Sequence, residues 1–241
     1  MDVSEEKPVM NDENTGDVKV AVAGQFPTNP KTGMPLIPKE EADKAYKKMY
    51  CYIPMNIGIS MAIGIGIACL IHFLGSNDKY EKRLVQAHEN EMQWGFLAAF
   101  IFGMSVWILN VYPEFHKARI MVPGDLWSNV FIYRLAAEDP NESSCVVVNN
   151  EGDVGRYNRA HRGLYHFIEN VLPVVFALPF TLYVYPFPSF VLTCIYCVGR
   201  IIYIHGYAVY FYNGRTPGYI LERMSMCTIL GLCLIAGIKS C

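Results

Sequence analysis

The chain has 241 residues, of which 52% are hydrophobic and 17% charged, and its formal net charge is −2. A soluble domain of this size carries about 25% charged residues, and a chain with no excess of positive charge lacks the electrostatic footprint of a nucleic-acid binder. The composition points away from a nucleic-acid partner and towards a membrane.

Residues 1–50 are polar, with clusters of Pro, Gly, Asn and Asp. They hold no short apolar core behind a basic start, so no cleavable signal peptide is read, and they lack the Arg richness of a mitochondrial presequence. Composition predicts an arm, either a flexible tail or a segment that wraps a partner. Residues 51–75 contain the first long apolar block, Tyr52–Leu74. Four more follow: Gly95–Val111, Leu164–Tyr185, Phe190–Tyr212 and Met224–Ile238. Each is about long enough to cross a bilayer core as a helix, which predicts five transmembrane helices. In the first, Ser60 and Gly64 form a small-x-x-x-small pair, a signal for close helix packing. The loop 113–163 contains "VPGDLW" and "CVVVNNEGDVG". The Val run and the Asn/Gly turn residues of the second predict a short hairpin.

Lys and Arg set the orientation. One side holds Lys44, Lys47 and Lys48 of the arm, Lys117, Arg119, Arg134, Arg156, Arg159 and Arg162 of the long loop, and Arg215 and Arg223 of the loop 213–223. The other side holds Lys79, Lys82, Arg83 and Lys239. Eleven against four places the N-terminus and both basic loops in the cytosol or its equivalent. The glycosylation sequon Asn141-Glu142-Ser143 then lies on the side where it is not used. Of eight cysteines, Cys69, Cys194, Cys197, Cys227 and Cys233 fall in the apolar blocks. Cys194-x-x-Cys197 has no second pair, so these read as small packing residues rather than a redox or zinc motif.

Two polar stripes interrupt the apolar blocks. At about 100° per residue, Arg159, Arg162, His166, Glu169 and Pro173 share one helix face, with Asn170 at its margin. Ionisable groups at this depth are costly and face a cavity or a partner helix. Pro173 also frees a backbone carbonyl. In the next block Arg200, Tyr203 and Tyr207 stand at i, i+3 and i+7, and Arg215 follows at its end. A buried Arg200 needs a carboxylate, and Glu169, or its copy in a neighbouring subunit, is the expected partner. The stripes read either as an ion pair that fixes helix packing or as a site for an anionic, amide-rich ligand.

These residues resemble the MAPEG family, the membrane-associated proteins of eicosanoid and glutathione metabolism. The resemblance rests on Arg162, Glu169-Asn170, Pro173, Gly199-Arg200-x-x-Tyr203-x-x-x-Tyr207 and the spacing to Arg215-Thr216-Pro217-Gly218. Within the family it is nearest the type-3 microsomal glutathione transferases. It implies an all-α integral membrane fold, with a four-helix bundle over 94–241 and one additional N-terminal transmembrane helix. It implies a homotrimer, or partner subunits of a larger membrane complex, in the endoplasmic reticulum or, alternatively, a mitochondrial membrane.

By the same resemblance, Arg162, His166, Glu169, Asn170, Arg200, Tyr203 and Tyr207 would bind glutathione as co-substrate, and Arg215 would hold its thiolate. The activity implied is a glutathione transferase or peroxidase acting on hydrophobic electrophiles or lipid hydroperoxides. Two positions depart from the family pattern, His166 for an asparagine and Leu164 for His or Gln. The alternative is therefore a degenerate relative, a structural subunit that kept the buried polar groups and lost the chemistry.

Overall fold

The computed structural model describes residues 36–75, 77–120, 131–136 and 145–240. The arm up to residue 35 and the sequon at Asn141 lie outside the described residues. The elements are α1 (Lys39–Leu74), α2 (Asn77–Glu89), α3 (Gln93–Lys117), β1 (Tyr133–Ala136), β2 (Cys145–Val148), α4 (Gly152–Val184), α5 (Pro186–Gly214) and α6 (Thr216–Ser240).

Five of these helices, all but α2, are long and apolar enough to cross a membrane. The architecture is all-α, as expected, and its apolar outer faces contact lipid. Leu172, Phe176 and Phe180 of α4 and Leu234 and Ile238 of α6 are exposed large hydrophobics of this kind.

Helices α3 to α6 form the bundle. α5 packs on α6, α4 and α3, and α4 also meets α3 and α6. The core gathers Leu109, Phe167, Val174, Tyr196, Ile204 and Ile229 from all four. α5 and α6 approach closely where Gly199 and Gly218 face the partner helix's backbone. A Cβ on Gly218 would strike the Tyr203 amide and the Gly199 carbonyl, and one on Gly199 would strike the Glu222 amide. Any side chain there would force the helices apart, which overpacking data put at about 1–3 kcal/mol.

α1 stands aside from the bundle, and among the described residues its main contacts are with α3 and α2. It begins at Lys39, inside the stretch expected to be a polar arm. Lys, Glu and Ala there are strong helix formers, and Glu40 and Glu41 in the first turn suit the helix dipole. The last part of the expected arm, from Lys39, is therefore the start of the first helix. Its anchorage is polar: Arg119 reaches Asp43 at 3.7 Å and Asp153 at 3.4 Å, and its guanidinium lies 3.8 Å over the Tyr46 ring. This ties α1, the end of α3 and the start of α4 together.

The expected hairpin exists, but its Val strand β2 pairs antiparallel with β1, Tyr133 opposite Val148. Asn158 of α4 clamps it. Its Oδ1 accepts from the Ile132 amide at 2.9 Å, and its Nδ2 donates to Ile132 and Asn149 carbonyls at 2.8 and 2.7 Å. The segment expected as one loop, 113–163, is thus partly helical at both ends, through Lys117 and from Gly152.

Near its end α5 breaks. Tyr210 leaves helical geometry and Phe211 adopts φ 61°, a left-handed conformation that is uncommon for a bulky side chain. Arg159 holds the break. It is buried, donates to the Ala208 carbonyl from Nε at 3.1 Å and Nη2 at 2.9 Å, and lies 3.8 Å over the Phe211 ring. A guanidinium fork is suited to an orphan carbonyl at a helix C-terminus, where charge and dipole also agree. Arg159 is thereby committed to backbone and does not continue the polar stripe expected beside it.

Candidate functional site

The α5–α6 turn positions the site. The break in α5 delivers Tyr212 and Arg215 to the mouth of the bundle, and α6 starts at once with Thr216-Pro217, a cap residue followed by proline. Arg215 donates from Nη1 to the Tyr203 hydroxyl at 3.2 Å. Its guanidinium lies 3.9 Å from the Tyr212 ring centre, 5.3 Å from Tyr207 and 5.8 Å from Tyr203. Because arginine only donates, Tyr203 must accept here, and its own proton remains for a ligand.

His166 of α4 stacks on Tyr203 with ring centroids 5.0 Å apart. Its Nδ1 lies 3.2 Å from Arg200 Nη1. The same donor argument makes Nδ1 the acceptor, so the proton of the neutral ring is on Nε2.

Arg200 and Glu222 form an ion pair at the centre of the bundle, with side chains 1% and 0% exposed. Arg200 also lies over the Phe167 and Tyr203 rings at 5.0 and 5.2 Å. The expected pairing with Glu169 is therefore corrected. α6 begins at Thr216, so Glu222 is a second-turn helical residue and not part of a loop. The Gly199–Gly218 approach brings it to the level of Arg200.

Glu169 instead meets Arg162 at 3.3 Å on the outer surface, both about half exposed at 52% and 53%. Asn170 donates to its own helix, at the His166 carbonyl, at 2.8 Å.

A cavity of about 500 Å³ opens beside these groups. His166, Tyr203 and Arg215 line it, together with Tyr212, Thr216, Tyr219 and Arg223. Among the residues expected to bind a ligand, the structure brings His166, Tyr203 and Arg215 into this cavity, with Arg200 behind His166 and Tyr207 beside Arg215. Arg162, Glu169 and Asn170 are not part of its wall within one chain. The sequence reading missed Tyr212, Thr216, Tyr219, Arg223 and Glu222. The Thr-Pro start signal was the clue that places four of them, Thr216 to Arg223, on one helix.

With this geometry in place, residues 126–238 match the family model described as MAPEG family. The match spans the hairpin and α4 to α6, hence every candidate site residue, and leaves α1, α2 and α3 outside it. No curated protein and no solved structure matches the chain.

Proposed function

We propose that the protein is a membrane-bound glutathione transferase or peroxidase that draws hydrophobic electrophiles or lipid hydroperoxides from the bilayer. The observation that carries this reading is Arg215, a cation with no ion-pair partner among the described residues, set over three tyrosine rings at the mouth of a polar cavity. A guanidinium beside a thiol lowers the thiol pKa and makes the thiolate available at neutral pH. The Tyr203 hydroxyl, with its proton uncommitted, donates a second hydrogen bond to the same sulfur. In conjugation the sulfur attacks an electrophilic carbon, the leaving group departs with the bond electrons, and the thiol proton passes to water. In peroxide reduction, two glutathione molecules become a disulfide while the hydroperoxide becomes an alcohol and water.

The test is calorimetric titration of glutathione into the purified protein in detergent. Binding that disappears in Arg215→Ala supports the reading. No heat from the intact protein would reject it. A second reading, a structural relative without activity, is favoured by one observation: Arg162, Glu169 and Asn170 stand outside the cavity of the single chain.

The same outward pair supports a trimer, or trimer-like packing in a larger complex. A half-exposed Arg–Glu pair on a membrane-spanning helix is costly against lipid, and a neighbouring subunit would cover it. We expect mass photometry in mild detergent to give three chains per particle, and a stable monomer would count against this arrangement.

We propose that the α5–α6 turn, the hairpin and the start of α1 face the cytosol, a reading supported by the excess of Lys and Arg on that side, in the endoplasmic reticulum or, alternatively, on the equivalent face of a mitochondrial membrane. In sealed vesicles, a variant with Cys145 as its sole cysteine should label from the cytosolic side. Labelling only from the lumen would overturn the five-helix orientation.

A further inference from the structure

We infer that α1, α2 and the start of α3 form a binding site for one anionic phospholipid, with an acyl chain in an apolar groove and the phosphate held at Arg83. The groove lies wholly before residue 126, outside the family match, so the inference stands apart from the reading above.

At one end α1 and α3 are joined. Tyr50 packs on Phe115 with ring centres 5.4 Å apart, and Arg119 reaches Asp43 at 3.7 Å. Further along, α1 is open. None of its most apolar stretch is buried, and a Cβ on Gly58, Gly64 or Gly66 would meet nothing within 4 Å. At the far end α2 turns back against α1. The Tyr80 ring stacks on His72 with centres 6.4 Å apart and stands where a Cβ on Gly75 would go, which closes the turn between the two helices.

A groove of about 340 Å³ opens there, walled by Ala68 and Ile71 of α1, Leu84 and Ala87 of α2 and Phe96 of α3. Tyr80, Leu84 and Ala87 follow one another at spacings of four and three, so an otherwise polar helix turns one face on the groove. Phe73, Leu74, Leu97 and Phe100 beside it are exposed, on helices long and apolar enough to cross a membrane. The medium that reaches this wall is lipid, and an acyl chain fills it without desolvating any polar group.

Charge selects the headgroup. α2 follows directly on the apolar span that ends at Leu74, so Arg83 stands at the membrane surface. Arg83 is the one formally charged side chain in the wall, and it has no ion pair or hydrogen bond among the described residues. Glu81, two positions before it, meets His72 at 3.8 Å instead. An arginine lays its stem along apolar surface and keeps its guanidinium at the interface, where its planar fork suits phosphate oxygens. The Tyr80 hydroxyl, without a hydrogen-bond partner among the described residues, adds a second donor at the level tyrosines favour. A protein helix seated in the groove would cover Arg83 and leave it unpaired unless it brought its own carboxylate, which favours a lipid as the occupant.

The test is native mass spectrometry of the full chain, released from detergent micelles titrated with one of three probes. These are dioleoyl phosphatidylglycerol, dioleoyl phosphatidylcholine, and glycerophosphoglycerol, which is the first headgroup without its chains. The intact protein should carry one phosphatidylglycerol per chain and bind it about fivefold more tightly than phosphatidylcholine, the scale of one basic residue at a membrane surface. The chainless headgroup should not bind. Arg83→Gln should erase the preference, and Lys82→Gln, outside the wall, should keep it. Ala87→Phe should fill the groove and lower phosphatidylglycerol binding at least about fivefold. Gel filtration and thermal midpoint establish that each variant is folded. Equal binding of the two lipids overturns the inference, and so does a preference that survives Arg83→Gln or vanishes equally in Lys82→Gln. Phosphatidylglycerol binding that Ala87→Phe leaves intact also overturns it, as does a membrane protein that co-purifies in equal amount and is displaced by that substitution.

Discussion

Replacing Glu222 with alanine is expected to cost the fold about 3–5 kcal/mol, because it leaves the Arg200 guanidinium buried without its counter-charge. Both side chains are essentially sealed from solvent, so water cannot repair the loss. The expected result is a collapse of expression, or a large drop in the thermal midpoint of purified protein in detergent. Glu169→Ala is the internal control. Its partner Arg162 is half exposed within the chain, so the fold of the single chain should barely change, and any loss should appear instead in the number of chains per particle, because a neighbouring subunit is proposed to cover the pair.

The double replacement Arg200→Met with Glu222→Leu separates charge from packing. Removing both ends of a buried pair and filling the space with apolar groups is often neutral or stabilising, so this variant should recover most of what Glu222→Ala loses. A Glu222→Ala protein that melts with the wild type would refute the central role of the pair.

The Glu222 case also shows what the sequence made legible and what it hid. Five spans and two polar stripes were readable, because hydropathy and the 100° helical period are local signals. Helix ends were not, because polar turns beyond the bilayer carry no hydropathy signal. α4 starts at Gly152, well before its apolar block at Leu164, and α6 starts at Thr216 rather than Met224. The second misplacement put Glu222 in a loop and left Glu169 as the only carboxylate in view for Arg200. α2, a polar helix, was unseen for the same reason.

Arg159 illustrates a different limit. Its helical phase matched Arg162 and Glu169, but its destination depended on a break in another helix. The turn at Tyr210–Phe211 exposes the Ala208 carbonyl, and no residue pattern around Arg159 announces that. Tyr203, His166 and Arg215 were legible because their contacts are with each other, across two packed helices and one short turn.

Arg215→Ala is expected to lower the conjugation of glutathione to a generic aryl halide by about 10²–10³-fold, the loss seen when one preorganised electrostatic donor is removed from a transition state. The fold should survive it. Arg215 caps α5 rather than filling the core, and it has no ion pair among the described residues to orphan. The Tyr203 hydroxyl loses a hydrogen bond at 3.2 Å and Tyr212 loses its contact with the guanidinium, and both side chains line the open cavity.

The profile against pH carries the mechanism. If Arg215 acts by stabilising the thiolate, the remaining activity of Arg215→Ala should rise with pH towards the ordinary thiol range of about 8.5, whereas the wild type is already active near neutrality. Arg215→Lys should fall between the two, because it keeps the charge but loses the planar contact with the Tyr212 ring at 3.9 Å. The comparison is made at equal folded content, judged by gel filtration and thermal midpoint. Equal rates in wild type and Arg215→Ala, both at the uncatalysed background, would reject the transferase. The cavity would then be the relic of a site in a protein whose work is structural.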